Sequence, residues 1–203
     1  MNRWTAIVDY GVGNLKSVTN AMDYLGLRTV ITGDPRELER ADAILLPGVG
    51  AFPDAAEKLR APGLDRVLIA QSGKKPILGI CLGMQLLFER GTEVRPCEGL
   101  GFVKGSVEKI STALKLPHIG WNALELRGNS PLFAGIDPGA YVYFVHSFCG
   151  MAEDPAQVIA VTDYGAPVVA AVQSGNVFGT QFHPEKSGEV GLAMLKNFGE
   201  MNR

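Results

Sequence analysis

Residues 76–88 read Pro-Ile-Leu-Gly-Ile-Cys-Leu-Gly-Met-Gln-Leu-Leu-Phe, and this stretch decides the fold. An apolar run ends in Cys81, a helix-forming segment follows, and Gly79 and Gly83 flank the cysteine at two residues on either side. This order is typical of a strand, a sharp turn and a helix with the thiol at the turn. Glycines at these two positions let backbones approach where side chains would collide. The pattern predicts a nucleophile elbow with cysteine in place of serine.

A buried, unreactive cysteine in an α/β core is the alternative interpretation of Cys81. The apolar neighbours agree with that alternative, whereas the paired glycines favour a nucleophile. Reactive cysteines are also common at helix N-termini, where the positive end of the helix dipole attracts negative charge.

Working outward from this stretch, the first half of the chain alternates strand and helix patterns. Short apolar runs without polar alternation indicate strands that are buried on both faces; they cover 5–9, 27–32, 43–46 and 77–80. Helical periodicity covers 14–25 and 52–71, the latter interrupted near Pro62-Gly63. This βαβα order predicts a parallel sheet with helices on both faces.

The second half of the chain is richer in β-type residues and turn signals. The predicted strands cover 141–148, 158–162, 168–173 and 177–181, and a last helix covers 189–198. We therefore expect an α/β fold with an open, largely parallel, doubly wound, flavodoxin-like sheet flanked by helices, and additional antiparallel strands in the second half. No linker or repeat interrupts the pattern, so residues 1–203 are interpreted as a single domain.

Composition excludes several classes of protein. The chain has 203 residues, 46% of them hydrophobic, and a formal net charge of −2. The absence of a basic stripe argues against nucleic-acid binding, and no apolar run reaches the roughly 18 residues that a membrane span needs. The three cysteines are too scattered for a disulfide framework and lack the spacing of a zinc site. We expect a cytoplasmic protein without a metal.

A cysteine nucleophile needs a base, and the chain offers three histidines: His118, His146 and His183. The segment His183-Pro184-Glu185 favours the last of them, because residues two apart in an extended chain project to the same side. A carboxylate at Glu185 would then orient the imidazole of His183 and complete a Cys-His-Glu triad. A surface histidine beside a solvated glutamate is the alternative.

The segment Pro47-Gly48-Val49-Gly50-Ala51 follows a predicted strand, where open α/β sheets place their ligand sites. Its backbone N–H groups, together with that of Leu82, could stabilise an oxyanion. A plain strand-to-helix turn fits the spacing equally well.

Two segments resemble cofactor-binding motifs but lack residues that those motifs require. Gly11-Val12-Gly13 begins like a dinucleotide fingerprint, but Lys16 occupies the position of the third glycine. Gly73-Lys74-Lys75-Pro76 lacks the leading glycine and the Ser/Thr of a phosphate-binding loop. The sequence therefore predicts no cofactor.

Taken together, these motifs resemble the class I (triad) glutamine amidotransferases and, within them, the glutaminase subunits of imidazole glycerol phosphate synthase. The cysteine and His-Pro-Glu motifs are common to the whole class, and the Gly-x-Gly-Asn and His-x-Gly-Trp-Asn blocks narrow the resemblance. The matching blocks run nearly end to end: Val8 to Leu15, Pro47 to Phe52, Gly79 to Gln85, Pro117 to Asn122, Tyr143 to Ser147 and Gln181 to Ser187.

The resemblance implies hydrolysis of glutamine to glutamate and ammonia through a thioester on Cys81. The ammonia would pass to a cyclase partner, which makes imidazole glycerol phosphate and a purine precursor in histidine biosynthesis. By the same resemblance, glutamine would be bound by Gly48, Val49, Gly50, Leu82, Gln85, His146 and Ser147, and the partner would be faced by Asn14, Trp121 and Lys186. Phe148 departs from the pattern, since a tyrosine is expected there, which puts one hydrogen bond in doubt.

Two other functions remain open at the level of sequence. The chain could be the glutaminase of a different synthase, such as the one for pyridoxal phosphate or anthranilate, although those would not be expected to carry the Trp121-Asn122 block. It could also be a non-catalytic binding subunit of the same fold. The presence of Cys81, His183 and Glu185 argues against this alternative.

Overall fold

The structure, a computed structural model, describes residues 3–201. Helices and strands follow one another in this order: β1 Thr5–Val8, α1 Leu15–Tyr24, β2 Thr29–Thr32, α2 Pro35–Arg40, β3 Ala43–Gly48, α3 Phe52–Arg60, α4 Leu64–Gln71, β4 Ile77–Cys81, α5 Leu82–Gln85, β5 Phe88–Gly91, β6 Cys97–Glu98, β7 Val103–Lys109, β8 His118–Ala123, β9 Glu125–Leu126, β10 Tyr141–His146, β11 Phe148–Ala152, β12 Val158–Asp163, β13 Pro167–Ser174, β14 Val177–Thr180 and α6 Gly188–Glu200.

An eight-stranded sheet forms the centre of the molecule, in the order β2-β1-β3-β4-β14-β13-β12-β9. The pairs among β2, β1, β3, β4 and β14 are parallel, and those among β14, β13, β12 and β9 are antiparallel. The order of the parallel strands is that of a doubly wound, flavodoxin-like sheet. The predicted α/β fold is confirmed, including the antiparallel extension in the second half of the chain.

Alternate residues of the parallel strands enter two different hydrophobic clusters, as the two-residue period of a strand requires. In β1, Ala6 and Val8 pack in the cluster that holds α2, α3 and α4, whereas Ile7 packs in the cluster that holds α1 and α6. The sheet is therefore covered on both faces, and its strands are apolar throughout for that reason.

Two smaller sheets are formed by the β-rich segments that the central sheet does not use. β10 and β8 pair antiparallel, and a second sheet has the order β11-β7-β5-β6. The predicted strand 141–148 is thus wrong as one element: it divides at Ser147 into β10 and β11, which belong to different sheets. An apolar run carries no signal for such a change of partner, because both halves are equally suited to a strand.

Local signals account for two further differences from the sequence prediction. Helix α2 was not predicted, yet Asp34 caps it by accepting a hydrogen bond from Arg36 N, and Pro35 stands in its first turn. The helix that was expected after Cys81 has only four residues, because the chain turns back into β5 at Phe88.

One lysine is buried in the fold for a structural reason. Lys75 lies just before β4, and its Nζ donates to the backbone carbonyls of Leu38, Glu39 and Ala41 at 3.1, 2.7 and 2.5 Å. These carbonyls belong to the last turn of α2 and its C-cap, which have no helical partners. A cation at a helix C-terminus is also favoured by the helix dipole. The lysine thus ties the C-terminus of α2 to the segment that leads into β4.

Helices of membrane-spanning length and apolarity do not occur within residues 3–201.

Replacing Lys75 with methionine tests this tie. The thioether keeps most of the apolar stem but removes the ammonium, so three carbonyl groups lose their donor. We expect the free energy of unfolding to fall by about 2–3 kcal/mol, measured by urea denaturation. Lys74→Met is the matched control, since the neighbouring Lys74 side chain is exposed. Equal stability of the two variants would contradict the role of Lys75.

Candidate active site

Cys81 lies at the junction of β4 and α5 with φ 56° and ψ −112°. A non-glycine residue with positive φ is strained, at a cost of about 1–3 kcal/mol, and such residues concentrate at functional sites. The strain is imposed by the register of the sheet, because Cys81 still pairs with Gly48 at the end of β3 before the chain turns into the helix. The predicted strand–turn–helix geometry is present.

Both flanking glycines are required by close backbone contacts. A Cβ at Gly83 would lie 1.9 Å from Leu46 O, and a Cβ at Gly79 would lie 2.6 Å from Gly83 O. No side chain fits at either distance. The turn can therefore form against β3 only when both positions are glycine.

His183 and Glu185 follow β14, the strand adjacent to β4 in the sheet. His183 Nδ1 donates to Glu185 Oε1 at 2.8 Å, and both side chains are at least nine-tenths buried. The backbone N–H of His183 donates to Tyr143 O at 3.0 Å, which fixes the start of the turn. The Nδ1 contact leaves Nε2 as the nitrogen available to a reacting group.

Cys81 and Glu185 together determine the charge of His183. Burial by itself lowers the pKa of His183, but hydrogen bonding and charge interactions with Cys81 and Glu185 overcome this effect and raise the pKa to about 9. Nε2 makes no hydrogen bond of good geometry within residues 3–201, so its contact with the thiol is looser than an ordinary hydrogen bond. Such contacts commonly tighten only when substrate binds.

A cavity of about 340 Å³ opens beside Cys81 and His183. Of the predicted substrate-binding residues, all but Gly48 line it: Val49, Gly50, Leu82, Gln85, His146 and Ser147. Gly48 lies behind this wall, paired with Cys81 in the sheet. The remaining lining residues are Glu93, Pro117, Val145 and Phe148. Pocket, thiol and imidazole thus form one continuous site.

Two amide side chains connect the cavity wall to the thiol. Gln181 is fully buried, and its Nε2 donates to Cys81 Sγ at 3.7 Å. Its Oε1 accepts from Gln85 Nε2 at 3.0 Å, and the same nitrogen of Gln85 donates to Phe148 O at 2.9 Å. Because Phe148 contributes its backbone carbonyl here, this contact does not depend on the residue type at that position.

A pair of buried histidines supports the same part of the cavity wall. His146 Nδ1 donates to Phe148 O at 2.8 Å, and its Nε2 lies 3.0 Å from His118 Nδ1. Burial lowers the pKa of His146 to about 4, an effect that the charges of His118 and His183 reinforce and the bond to Phe148 opposes. His118 Nε2 donates to Asn122 Oδ1 at 2.8 Å, and the two imidazoles contact each other, so both rings support the wall. His118 does not itself line the cavity.

Three residues of this site were not predicted. Gln181 lies two residues before His183 and could have been found by the alternation that linked His183 to Glu185. Glu93 lines the cavity from a loop, where it accepts a hydrogen bond from Phe52 N at 2.8 Å. Tyr10 is buried, and its hydroxyl donates to Pro47 O at 2.8 Å. Neither Glu93 nor Tyr10 lies in a sequence pattern that carries its role.

The three residues predicted to face a partner lie on elements that surround the turn of His183. Trp121 is 51% exposed on β8 and lies edge-on to Tyr143 of β10, with ring centroids 6.1 Å apart. Lys186 ends the turn that begins at His183, and Asn14 caps α1, which contacts that turn. A partner that contacts these residues would therefore lie close to His183.

The profile of "Glutamine amidotransferase class-I" matches residues 6–201. The chain belongs to this family.

Among described residues, no group of three or more His, Cys, Asp or Glu side chains is arranged to hold a metal ion.

Within the amidotransferase family, the chain is similar to subunits of imidazole glycerol phosphate synthase. "Imidazole glycerol phosphate synthase subunit HisH" of Bacillus cereus (strain G9842) is 50% identical over 196 residues, which cover 95% of this chain and 92% of the relative. The protein of the same name from Bacillus anthracis is 47% identical over the same shares of both chains.

Solved structures confirm the fold of the amidotransferase. A putative GMP synthase subunit from Thermoplasma acidophilum superposes with a TM-score of 0.76 at 22% identity, over 98% of this chain and 93% of that one. PurLQS from Thermotoga maritima gives a TM-score of 0.73 at 23% identity over 100% of both chains.

The raised pKa of His183 has a consequence for stability. A group whose pKa rises from 6.5 to about 9 on folding contributes stability that is complete below pH 6.5 and is lost as pH rises through about 9. We expect the stability difference between the wild type and His183→Gln to shrink over this interval, measured by urea unfolding at a series of pH values. A difference that grows with pH would contradict the charge assignment.

Proposed function

We propose that this chain is the glutaminase subunit of an imidazole glycerol phosphate synthase. The observation that carries the proposal is the convergence of Cys81, His183 and Glu185 at one cavity, in a chain about half identical to subunits of that name. The cavity volume of about 340 Å³ suits a small amino acid.

Glutamine hydrolysis follows from the chemistry of these groups. The sulfur of Cys81 attacks the side-chain carbonyl carbon, and His183 holds the proton that leaves the thiol. Collapse of the tetrahedral intermediate breaks the C–N bond, and His183 returns the proton to the departing ammonia. Water then attacks the thioester with His183 as base, releasing glutamate and restoring the thiol. The carboxylate of Glu185 keeps Nδ1 protonated, so Nε2 performs both transfers.

Backbone N–H groups are the candidate oxyanion donors. Neither Val49 N nor Gly50 N donates a hydrogen bond within residues 3–201, and both residues line the cavity beside the thiol. The N–H of Leu82, the first residue after the nucleophile, is a third candidate. Donors that are fixed before the reaction stabilise the intermediate without reorganising.

Polar groups of the cavity wall suit the amino-acid part of the substrate. The carboxylate of Glu93 is the acidic side chain that lines the cavity with Cys81, so it is proposed to bind the α-ammonium. Gln85, His146 and Ser147 provide hydrogen-bonding groups around the remaining polar atoms.

The proposed complex contains a cyclase subunit that receives the ammonia. Asn14, Trp121 and Lys186 are proposed to contact it, because they lie around the turn that carries His183 and Glu185. We also propose that residues 1–203 act as one domain and that the protein works in the cytoplasm, where small-molecule biosynthesis and a free catalytic thiol are compatible.

Cys81→Ala separates the two activities of the complex. Glutamine-dependent synthesis should fall by several orders of magnitude, because the covalent nucleophile is lost. Synthesis from added ammonium salts should persist, since cyclisation belongs to the partner. Both rates are measured with the assembled complex, and Cys97→Ala is the control thiol variant. Equal loss of both activities in Cys81→Ala would refute the division of labour.

Trp121→Ala and Lys186→Ala test the proposed partner face. A central aromatic anchor is worth about 2 kcal/mol or more of binding free energy, so affinity for the cyclase or activation by it should fall while the isolated fold keeps its stability. Titration calorimetry and glutaminase assays with the cyclase measure both effects. Tyr24→Ala is the control, because Tyr24 is 80% exposed at the end of α1 remote from Asn14. Unchanged affinity and activation would remove both residues from the interface.

A further inference from the structure

The end of strand β3 is held by a side chain where its pairing with β1 stops. β1 pairs with β3 only from Thr5 to Ile7, opposite Ala43 to Leu45. Pro47, two residues beyond that pairing, has no N–H, so its carbonyl is its only backbone hydrogen-bonding group. Tyr10, three residues after Ile7, donates its hydroxyl proton to this carbonyl at 2.8 Å. The phenol therefore continues the contact between the two strands.

Tyr10 also touches the backbone that leads to the candidate oxyanion donors. A Cβ at Gly48 would lie 2.8 Å from Tyr10 Oη and 2.8 Å from Gly83 N. The phenol hydroxyl and the turn after Cys81 thus both approach Gly48 closely, on the side where a side chain would stand. Because no side chain separates these groups, a displacement of the hydroxyl would be transmitted directly to Gly48.

The same hydroxyl is a permanent donor. Tyr10 is only 6% exposed, and burial, followed by the charge of Cys81, raises the pKa of the phenol well above its ordinary value. Because the phenol stays protonated, its hydroxyl can always donate a hydrogen bond. The Pro47 carbonyl therefore keeps Tyr10 as its donor throughout the pH range in which the protein works.

Beyond Pro47 the chain is less constrained. Val49 is 44% exposed, and the N–H groups of Val49 and Gly50 donate no hydrogen bond within residues 3–201. Gly50 has φ 103°, a conformation that favours glycine. The orientation of these two N–H groups toward the cavity therefore depends on how firmly the preceding peptide, between Pro47 and Gly48, is held.

We propose that Tyr10 is a positioning residue for glutamine hydrolysis, whose hydroxyl fixes the Pro47–Gly48 peptide so that the N–H groups of Val49 and Gly50 reach the oxyanion. The proposal rests on the glutaminase activity proposed above and adds to it a residue that does not touch the substrate. A misplacement of about 1 Å at a reacting centre can cost a factor of about 100 in rate. Losing the anchor, with the rest of the strand intact, should cost less than losing a donor outright.

Tyr10→Phe is the decisive variant, because it removes the hydroxyl and keeps the packing of the ring. In the assembled complex we expect kcat for glutamine to fall about tenfold, with KM changed by less than about twofold. The ammonium-dependent rate should stay unchanged, since it does not use the oxyanion site. Tyr164→Phe is the matched control: its hydroxyl donates to Lys115 O at 2.7 Å, and Tyr164 does not line the cavity.

A transition-state mimic separates positioning from general loss of structure. Glutamate γ-semialdehyde adds to a thiol: the sulfur bonds to the aldehyde carbon, the C=O π bond breaks, and the thiol proton moves to the former carbonyl oxygen. This oxygen occupies the oxyanion position in the resulting hemithioacetal. Its inhibition constant should rise about tenfold in Tyr10→Phe, in parallel with the loss of kcat. Affinity for the product glutamate, measured by calorimetry, should stay unchanged, because glutamate forms no oxyanion.

The outcomes distinguish this proposal from the proposed function. If the wild-type complex does not hydrolyse glutamine, the glutaminase assignment fails. If the wild type is active and Tyr10→Phe matches it in kcat and in affinity for the aldehyde, the positioning role fails alone. A parallel loss of kcat, glutamate affinity and folded fraction would assign the hydroxyl to stability and would also overturn the proposal.

Discussion

The close backbone contact at the elbow is the constraint on which the site depends. Leu46 O occupies the space that a side chain at Gly83 would need, and Gly83 O occupies the corresponding space at Gly79. These contacts press the first turn of α5 against β3, and together with the pairing of Cys81 to Gly48 they hold Cys81 in a strained conformation. The strain, about 1–3 kcal/mol, is compensated by the buried sheet around it. The thiol is consequently held at the edge of the sheet, beside the cavity.

Strand order supplies the other groups of the site. β4 lies between β3 and β14, and all three run parallel, so their carboxyl ends meet at one edge of the sheet. The segment after β3 therefore lies on one side of Cys81, and the turn with His183 and Glu185 lies on the other. Ligand sites at this edge are general in doubly wound sheets.

Buried polar groups fix the walls of the cavity. Gln85 and Gln181 join the carbonyl of Phe148 to the thiol of Cys81, and His146 is bonded to the same carbonyl. A buried network of this kind is stable only when its members are paired, because an unpaired buried polar group costs about 1–3 kcal/mol. The pairing thus makes the wall rigid. The imidazole of His183, whose Nε2 has no hydrogen-bond partner among the described residues, is left to respond to substrate.

The sequence by itself predicted the fold class, the elbow at Cys81 and the pairing of His183 with Glu185. Spacing alone carries these features: glycines two residues from Cys81 allow the turn, and a two-residue interval brings His183 and Glu185 to one side of the chain. Tertiary structure alone decided the division of residues 141–148 between two sheets and the contacts of Gln181, Glu93 and Tyr10. Each of these depends on which strand or loop lies opposite in space, and a partner 37 residues away, such as Pro47 for Tyr10, leaves no periodic trace in the chain. Local sequence can specify a turn or a strand, whereas the choice of neighbour is made only when the sheet assembles.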